Sequence, residues 1–434
     1  MEIGGCTSHS AFNLCAAKRS ATQNDIEMHA DTRMNIIDEI SFASYESGLG
    51  KASWFLQESS QCHEFQYGSA ALCVLGDFCQ LEAIQKDLIY KNSKGIYWEQ
   101  SLNCLVELKG THRYRHCQRM GPIMTEIRAH GLSKANLAIL NERVIDGVKV
   151  KMPNPESTRF ATFHNKNRCR INMDIFREHL KKHHSHCTKE NIPDTALVIM
   201  LAETSWGNSK IKLSFDQRKA LFDSVSEADC VDGRNKRIAP LSCLFHGSNQ
   251  MVNDNKDVQH GIANGTTANF LKAVLKPAAK LVPIQMFGYW VYSVAACDVM
   301  QVEMMWTDSD RFQGKFRLSS VEQVYRVNFP VTNFGTTTRV KTSIQIEQFP
   351  ILGNYATTGH KLQGKSLDEL VIAEWSQVKN WAYVVLSRVR TLDGLYLTEP
   401  IPEDIDFSPH PENLDMMESL RRDNLATPIN TADW

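Results

Sequence analysis

Three short apolar runs, each ending in acidic or turn-forming residues, constrain this chain most. Met34–Ile37 runs into Asp38-Glu39, Ala70–Leu75 into Gly76-Asp77, and Leu370–Ala373 into Glu374. Buried parallel strands read this way where their C-terminal ends meet a ligand crevice. A stretch of helical length, Ser53 to Gln66, separates the first two runs. Strand, helix, strand predicts an α/β fold. The 434 residues suffice for roughly two to four compact units of about 100–200 residues each.

Composition narrows the function classes. Hydrophobic residues make up 42% and charged residues 22%, which excludes a mostly disordered or fibrous chain. Lys plus Arg number 48 against 49 Asp plus Glu, so any nucleic-acid contact must come from a local groove. The best uncharged stretch, Leu281 to Cys297, is interrupted by Pro283, Gln285 and Gly288 and falls short of a membrane span. Met1 to Phe12 has neither a basic nor an apolar signal region. Twelve cysteines without a CxxC pair argue for reduced thiols, so an intracellular protein is expected.

Further along, the polar, Pro-containing stretch Lys149–Thr158 reads as a connection. Lys181–Glu190 and Ser224–Arg237 read as surface loops. Between 287 and 347 the pattern changes to short β-rich runs, Tyr289–Ala296, Val321–Phe329 and Thr342–Ile346, which suggest a small β-barrel-like insertion. Glu399–Trp434 is acidic with several prolines and reads as a loosely packed tail.

The chemistry-bearing motifs are individually weak. A strand that delivers Asp38 and Glu39 to its end suits nucleotide hydrolysis. Asp38 would hold Mg²⁺ and Glu39 would orient and deprotonate the attacking water. Two acids solvating a strand end is the competing reading. In Gly76-Asp77-Phe78-Cys79-Gln80 the glycine permits a sharp turn, and Gln80 carries an amide able to sense a γ-phosphate. A plain Gly-Asp turn explains the same residues. Arg113, in Thr111-His112-Arg113-Tyr114-Arg115, could neutralise a transferring phosphoryl group, or simply be solvated. Thr357–Leu367 holds donors at nearly every position and resembles a loop opening a helix, suited to a phosphate backbone. Trp381–Arg390 reads as a buried helix with Arg388 emerging at its end, followed by a strand at Leu395–Leu397. Asn264-Gly265-Thr266 is an Asn-Gly turn followed by a hydroxyl.

Two look-alikes fail on chemistry. Gly48-Leu49-Gly50-Lys51 is followed by Ala52 where a phosphate loop needs Ser or Thr, and Tyr45 stands in place of its first Gly. The cluster His183-His184-Ser185-His186-Cys187 lies among lysines in a polar stretch, a poor setting for a physiological metal.

The order of the motifs is more specific than any one of them. Acidic strand, Gly-Asp-Phe-x-Gln, Gly-Thr-His-Arg, Asn-Gly-Thr, His-Lys-x-Gln-Gly and Leu-Ser-Arg-Val-Arg follow one another as in one family. The set resembles the PIF (petite integration frequency) family of superfamily one DNA helicases, including the helicase part of Helitron transposons. The likeness runs from Gly4 to about Leu397. It implies two RecA-like α/β lobes of the P-loop NTPase type, at 1–110 and 111–398, with 287–347 inserted in the second and 399–434 as an acidic tail. It also implies ATP and Mg²⁺ as cofactors, and 5′ to 3′ translocation on single-stranded DNA with unwinding of forked duplex. The setting would be nuclear or mitochondrial, in repair, recombination, telomere maintenance or transposon replication.

By the same resemblance Asp38 and Glu39 are the magnesium and general-base pair, and Gln80 is the γ-phosphate sensor. Arg113 and Arg388 are the arginine fingers, and Gly364 lies against the nucleotide. Thr7, His9, Asn264, Thr266, His360, Lys361 and Gln363 fall in segments that touch DNA or couple it to ATP. The departures are plain. No Gly-x-x-Gly-x-Gly-Lys-Ser/Thr sequence precedes Asp38, Glu82-Ala83 replaces two prolines, and Gly359 replaces an apolar residue. Without that loop and the strand before it, neighbouring strands are expected to keep an unpaired edge. ATP hydrolysis is expected to fall far below that of an intact relative. A catalytically dead remnant that at most binds single-stranded DNA is the alternative.

Overall fold

A computed structural model describes residues 8–12, 14, 21–83, 87–92, 94–98, 100–102, 104–206, 215–230, 239–257, 260–307, 312–333, 336–423 and 427–430. The chain divides into two compact units. One holds Met152–Lys361; the other joins Gly4–Lys151 to Leu362–Trp434.

In the joined unit, strand Met34–Ile37 pairs in parallel with Ala71–Val74, Met34 opposite Ala71 and Ile37 opposite Val74. Helix Lys51–Ser60 makes the crossover and buries Ala52, Phe55 and Leu56 in one apolar cluster with Ile37 and Ile40. The expected order of strand, helix and strand is therefore present. The expectation of burial on both faces is not met, because Met34 is 56% and Ile36 53% exposed. This sheet has two strands, and Ile37 alone of its first strand is buried.

Helix Met120–His130 places Met120, Ile123, Met124 and Ile127 on one buried stripe, the spacing of an amphipathic helix. Strands Leu370–Ile372 and Leu395–Leu397 pair in parallel, and every residue of helix Trp381–Leu386 is buried. The segment read as a loose tail folds differently. Helix Pro411–Asp423 buries Met416 and Leu420, four residues apart, in the same cluster as Ile37. Strand Thr427–Asn430 then pairs in parallel with Val106–Lys109. Two apolar residues on one helical face were enough to dock a segment whose composition is mostly polar.

The other unit is mainly β. Strand Ala356–Thr358 lies parallel to Arg159–Thr162, beside helix Asn165–His184. A five-stranded antiparallel sheet runs in the order 315–318, 299–306, 267–275, 249–252, 351–353. Val302, Met304, Val252 and Ala268 form its fully buried core. A four-stranded sheet contains Tyr289–Ala295 parallel to Ala196–Met200. A hairpin of Val321–Asn333 with Thr336–Gln348 adds Ala202–Trp206. The stretch 287–347 is thus strand-rich.

Two expected loops are helical in part, the first only as far as His184 and the second over 224–230, with 231–237 outside the described residues. Helix Asn165–His184 runs into the first, and helix Phe215–Cys230 covers the start of the second. Lys166, Arg177, Lys181 and Lys182 of the first and Arg218 and Lys219 of the second are exposed, while Leu180, Leu221 and Val225 are buried. Each cysteine whose side chain is described is a free thiol, and among the described residues no helix is long and apolar enough to cross a membrane.

Candidate functional site

The acidic strand ends in an unusual turn. Glu39 takes a left-handed conformation, φ 52° and ψ 48°, and its N–H donates to Asp38 Oδ1 at 2.8 Å. A non-glycine residue in that region is held there by its surroundings, a state common at functional sites. The turn breaks the alternation of the strand, which would otherwise send Asp38 and Glu39 to opposite faces. Ile40 N–H donates to Leu75 O at 2.9 Å and closes the end of the strand pair. Gly76 is required there, since a Cβ would stand 2.8 Å from Ile40 N.

Glu39 meets the Gln363-Gly364 end of the His-Lys-x-Gln-Gly motif, which lies in the same unit. Gln363 Nε2 donates to Glu39 Oε2 at 2.9 Å. Gly364, at φ 78°, follows, and a Cβ on it would lie 3.6 Å from Glu39 Oε1. The Gln363 amide oxygen is buried without a hydrogen-bond partner, and so is that of Gln80. A buried amide oxygen left unpaired costs free energy and marks a place where a donor is missing.

Both predicted arginines belong to this unit. Arg113, within the short helical turn His112–Tyr114, donates to Ser387 O at 2.8 Å and to Ser366 Oγ at 3.0 Å. Tyr114 OH donates to the same Ser387 carbonyl at 3.2 Å. Arg388 does not emerge from its helix as the sequence suggested. It is 1% exposed and folds back, donating to Val384 O at 2.8 Å and to Ser387 Oγ at 2.6 Å. A further donation reaches Lys365 O at 3.4 Å. Among the described residues no carboxylate lies within ion-pair distance of it. Burial first, and the neighbouring Arg113 second, lower its pKa to about 10. A buried cation without a counterion is costly, and an anion at this position would relieve the cost.

Residues that the motifs did not single out hold the sensor turn. Asn380 Nδ2 donates to Gln80 O at 2.9 Å and Phe78 O at 3.5 Å, and Asn413 Nδ2 donates to Phe78 O at 3.0 Å. Tyr383 OH donates to Asp77 Oδ2 at 3.0 Å, and Asp77 Oδ1 accepts from Cys79 N–H at 2.9 Å. Nothing local marks Asn380 or Asn413 in sequence. Their partners lie 300 and 335 positions away.

Asn264, Thr266, His360 and Lys361 sit in the Met152–Lys361 unit. Asn264-Gly265-Thr266 forms the turn between strands Asn249–Val252 and Thr267–Leu275, with Gly265 at φ 99°. Thr266 Oγ1 donates to Gly261 O at 2.7 Å and accepts from Ala263 N–H at 3.1 Å, so its hydroxyl shapes the turn. Asn264 is exposed, and Lys361 Nζ donates to its side-chain oxygen at 3.5 Å. His360 precedes Lys361 in the short helix Gly359–Leu362, and burial holds its pKa below the usual histidine value. Thr7 and the side chain of His9 lie outside the described residues.

The two look-alike motifs are committed elsewhere. Lys51 Nζ donates to Leu14 O at 2.7 Å. His184 bonds Trp290 O at 2.9 Å and Thr195 Oγ1 at 2.6 Å. Among the described residues no three His, Cys, Asp or Glu side chains cluster as a metal site.

No family model matches the chain. A 70-residue segment is 44% identical to the ATP-dependent DNA helicase Pif1 of Bdellovibrio bacteriovorus, covering 15% of each protein. The match thus spans far less than two thirds of that relative. Solved structures are similar over nearly the whole chain. Pif1 helicase from Bacteroides in complex with ADP-AlF3 and single-stranded DNA matches with a TM-score of 0.62, at 15% identity, over 96% of this chain and 84% of that one. Pif1 helicase from Candida albicans matches with a TM-score of 0.62, at 18% identity, over 97% and 85%. At such identities the structural likeness speaks for the fold.

Proposed function

We propose that this chain is the body of an ATP-dependent DNA helicase of the Pif1 kind, a reading supported by its fold and by the segment it shares with the Bdellovibrio relative. Its reaction would be 5′ to 3′ translocation on single-stranded DNA with unwinding of forked duplex. The two lobes would work on the strand, with 287–347 as a small barrel-like insertion. The observation that carries this reading is Arg388, a buried guanidinium that among the described residues has no carboxylate within ion-pair distance and has Arg113 as a neighbour, in the same unit as the unpaired Gln80 and Gln363 amide oxygens.

These residues fit the phosphate end of a magnesium nucleotide. Asp38 would hold the metal, Gln80 would face the terminal phosphate, and Arg113 and Arg388 would neutralise its charge. When bound, the nucleotide supplies the phosphoanhydride bond, and its magnesium offsets phosphate charge. Glu39 would orient and deprotonate the attacking water, and Gln363 would hold the Glu39 carboxylate. In the other unit Asn264, Thr266, His360 and Lys361 would contact the DNA backbone, joined by Thr7 and His9. The Bacteroides relative, solved with ADP-AlF3 and single-stranded DNA, supports nucleotide and DNA as ligands.

A second reading rests on a separate observation. These 434 residues contain no Gly-x-x-Gly-x-Gly-Lys-Ser/Thr loop to cradle the β- and γ-phosphates. The polypeptide by itself would then bind single-stranded DNA without turning over ATP. Hydrolysis by purified Met1–Trp434 is expected to be far below that of an intact relative. DNA-stimulated turnover that Glu39→Gln abolishes would overturn that expectation. A chimaera carrying the phosphate-binding strand and loop of an intact relative tests the first reading. It should unwind a forked duplex, and Arg388→Ala should cut hydrolysis by about 10³–10⁵ while DNA binding persists. Unchanged turnover would remove Arg388 from the site.

A further inference from the structure

Asn380 stands at the start of the buried helix that carries Arg388, where an asparagine side chain ordinarily accepts an N–H of its own helix. Here it makes no such cap. It adopts the left-handed region, φ 66°, and its amide donates away from the helix to Gln80 O and Phe78 O. One turn later Tyr383 donates to Asp77, at the other end of the same loop. From there hydrogen bonds run past the end of the helix at Leu386 to the arginine. Val384 N–H bonds Asn380 O at 3.0 Å, Ser387 N–H bonds Tyr383 O at 2.9 Å, and Arg388 Nε returns to Val384 O. Ser387 O in turn accepts from Arg113. All of these residues lie within one compact unit.

We propose that Asn380 is a positioning residue that locks the Asp77–Gln80 turn to the arginine helix, so that a phosphate-bearing ligand at Arg388 is felt at Gln80. The proposal rests on the nucleotide reading of this site and adds the coupling between its two halves. A bond from an uncharged amide to two main-chain carbonyls fixes the turn without adding a charge near the phosphates. Asparagine also tolerates the left-handed backbone that the entry to this helix requires. Tyr383 alone would leave the Gln80 end of the turn free, since its bond reaches Asp77.

Cys79 sits inside the turn and reports on it. Burial first, and the Asp77 carboxylate second, push its thiol up to about 11, so it should alkylate slowly while the turn is held. The experiment is maleimide labelling of the full 434-residue chain, read cysteine by cysteine by mass spectrometry. It is run with and without ADP–aluminium fluoride and Mg²⁺. Asn380→Gly keeps the left-handed backbone accessible and removes only the side chain. Without nucleotide it should speed Cys79 labelling about tenfold, the scale of one hydrogen bond. Cys243, in the other unit, should be unaffected.

With nucleotide, Cys79 should be protected in the parent chain. The protection should vanish in Asn380→Gly while fluorescent ADP still binds. Unchanged Cys79 labelling in the variant, or equal protection in both chains, overturns the proposal. No nucleotide effect in the parent chain counts against the nucleotide reading of the site, and the ligand-free rates still decide the lock. Should Cys79 and Cys243 accelerate together, the variant has unfolded and Asn380→Asp takes its place. It keeps the shape, cannot donate when ionised, and should free Cys79 alone; failure to do so overturns the lock.

Discussion

Arg388 shows how a single residue can be placed correctly at the end of a helix and misread in its exposure. Its position at the end of an apolar helix was legible, because six consecutive apolar residues precede Ser387-Arg388. Its burial was not, since that depends on Val384, Ser387 and Lys365 accepting from it. A cation whose pKa is lowered on folding destabilises the folded state at every pH below about 10, and the penalty fades as pH rises past that value. A polyanion that reaches the guanidinium should therefore stabilise the protein at neutral pH. We expect ADP–aluminium fluoride at saturating concentration to raise Tm by several degrees in the parent chain, and Arg388→Met to lose that increment. An equal increment in both would place the ligand elsewhere.

His179 supplies a second residue-scale prediction, far from the arginines. Its ring stacks on Phe245 with centroids 3.8 Å apart, and neither ring nitrogen has a hydrogen-bond partner. Burial first, then His183, His184 and Lys182, lower its pKa to about 4. The unfolded chain thus binds the proton more readily between about pH 6.5 and 4. The stability it contributes is present above about 6.5 and is lost as pH falls toward 4. The loss should be on the order of 1–3 kcal/mol, discounted for partial screening. His179→Phe keeps the stacking and removes the proton site, so the urea midpoint should vary less over that pH window than in the parent chain.

At the scale of elements, what was legible followed apolar pattern, and what was missed followed contacts between distant segments. Strand Met34–Ile37 was read to the residue, and Leu395–Leu397 likewise, because each is a bounded apolar run. Helices Asn165–His184 and Phe215–Cys230 are rich in charge, and their few buried residues carry too weak a period to outweigh it. Helix Pro411–Asp423 makes the same point, and it can be tested. Met416 is 2% exposed within the cluster that contains Ile37, whereas Leu414 on the same helix is 45% exposed. Met416→Ala should cost about 2–5 kcal/mol in urea unfolding, and Leu414→Ala within about 0.5 kcal/mol. Equal small effects would return this helix to the status of a loose tail.

At the scale of the whole molecule, the motif Gly359–Gly364 matters because the chain passes between its two units there. Lys361 belongs to one and Leu362 to the other. His360 and Lys361 accompany the Asn264 turn, while Gln363 holds Glu39. The sequence grouped Gln363 with His360 and Lys361 as residues that touch DNA or couple it to ATP, so this division was not legible in it; nor were the Asn380 and Asn413 braces, which have no local signature. With a net charge of −1 the chain has no general pull on nucleic acid, so binding must come from a few well-placed cations. Removing any one of them should then weaken binding measurably. Log affinity for single-stranded DNA falls with log salt by about 0.7 per phosphate neutralised. Lys361→Ala should weaken filter binding of an oligonucleotide and make that slope shallower by about 0.7. Gln363→Ala should leave both affinity and slope unchanged, because its bond lies on the Glu39 side of the boundary. If Gln363→Ala weakens DNA binding as much as Lys361→Ala does, the two halves of the motif do not divide in function as the chain divides in structure.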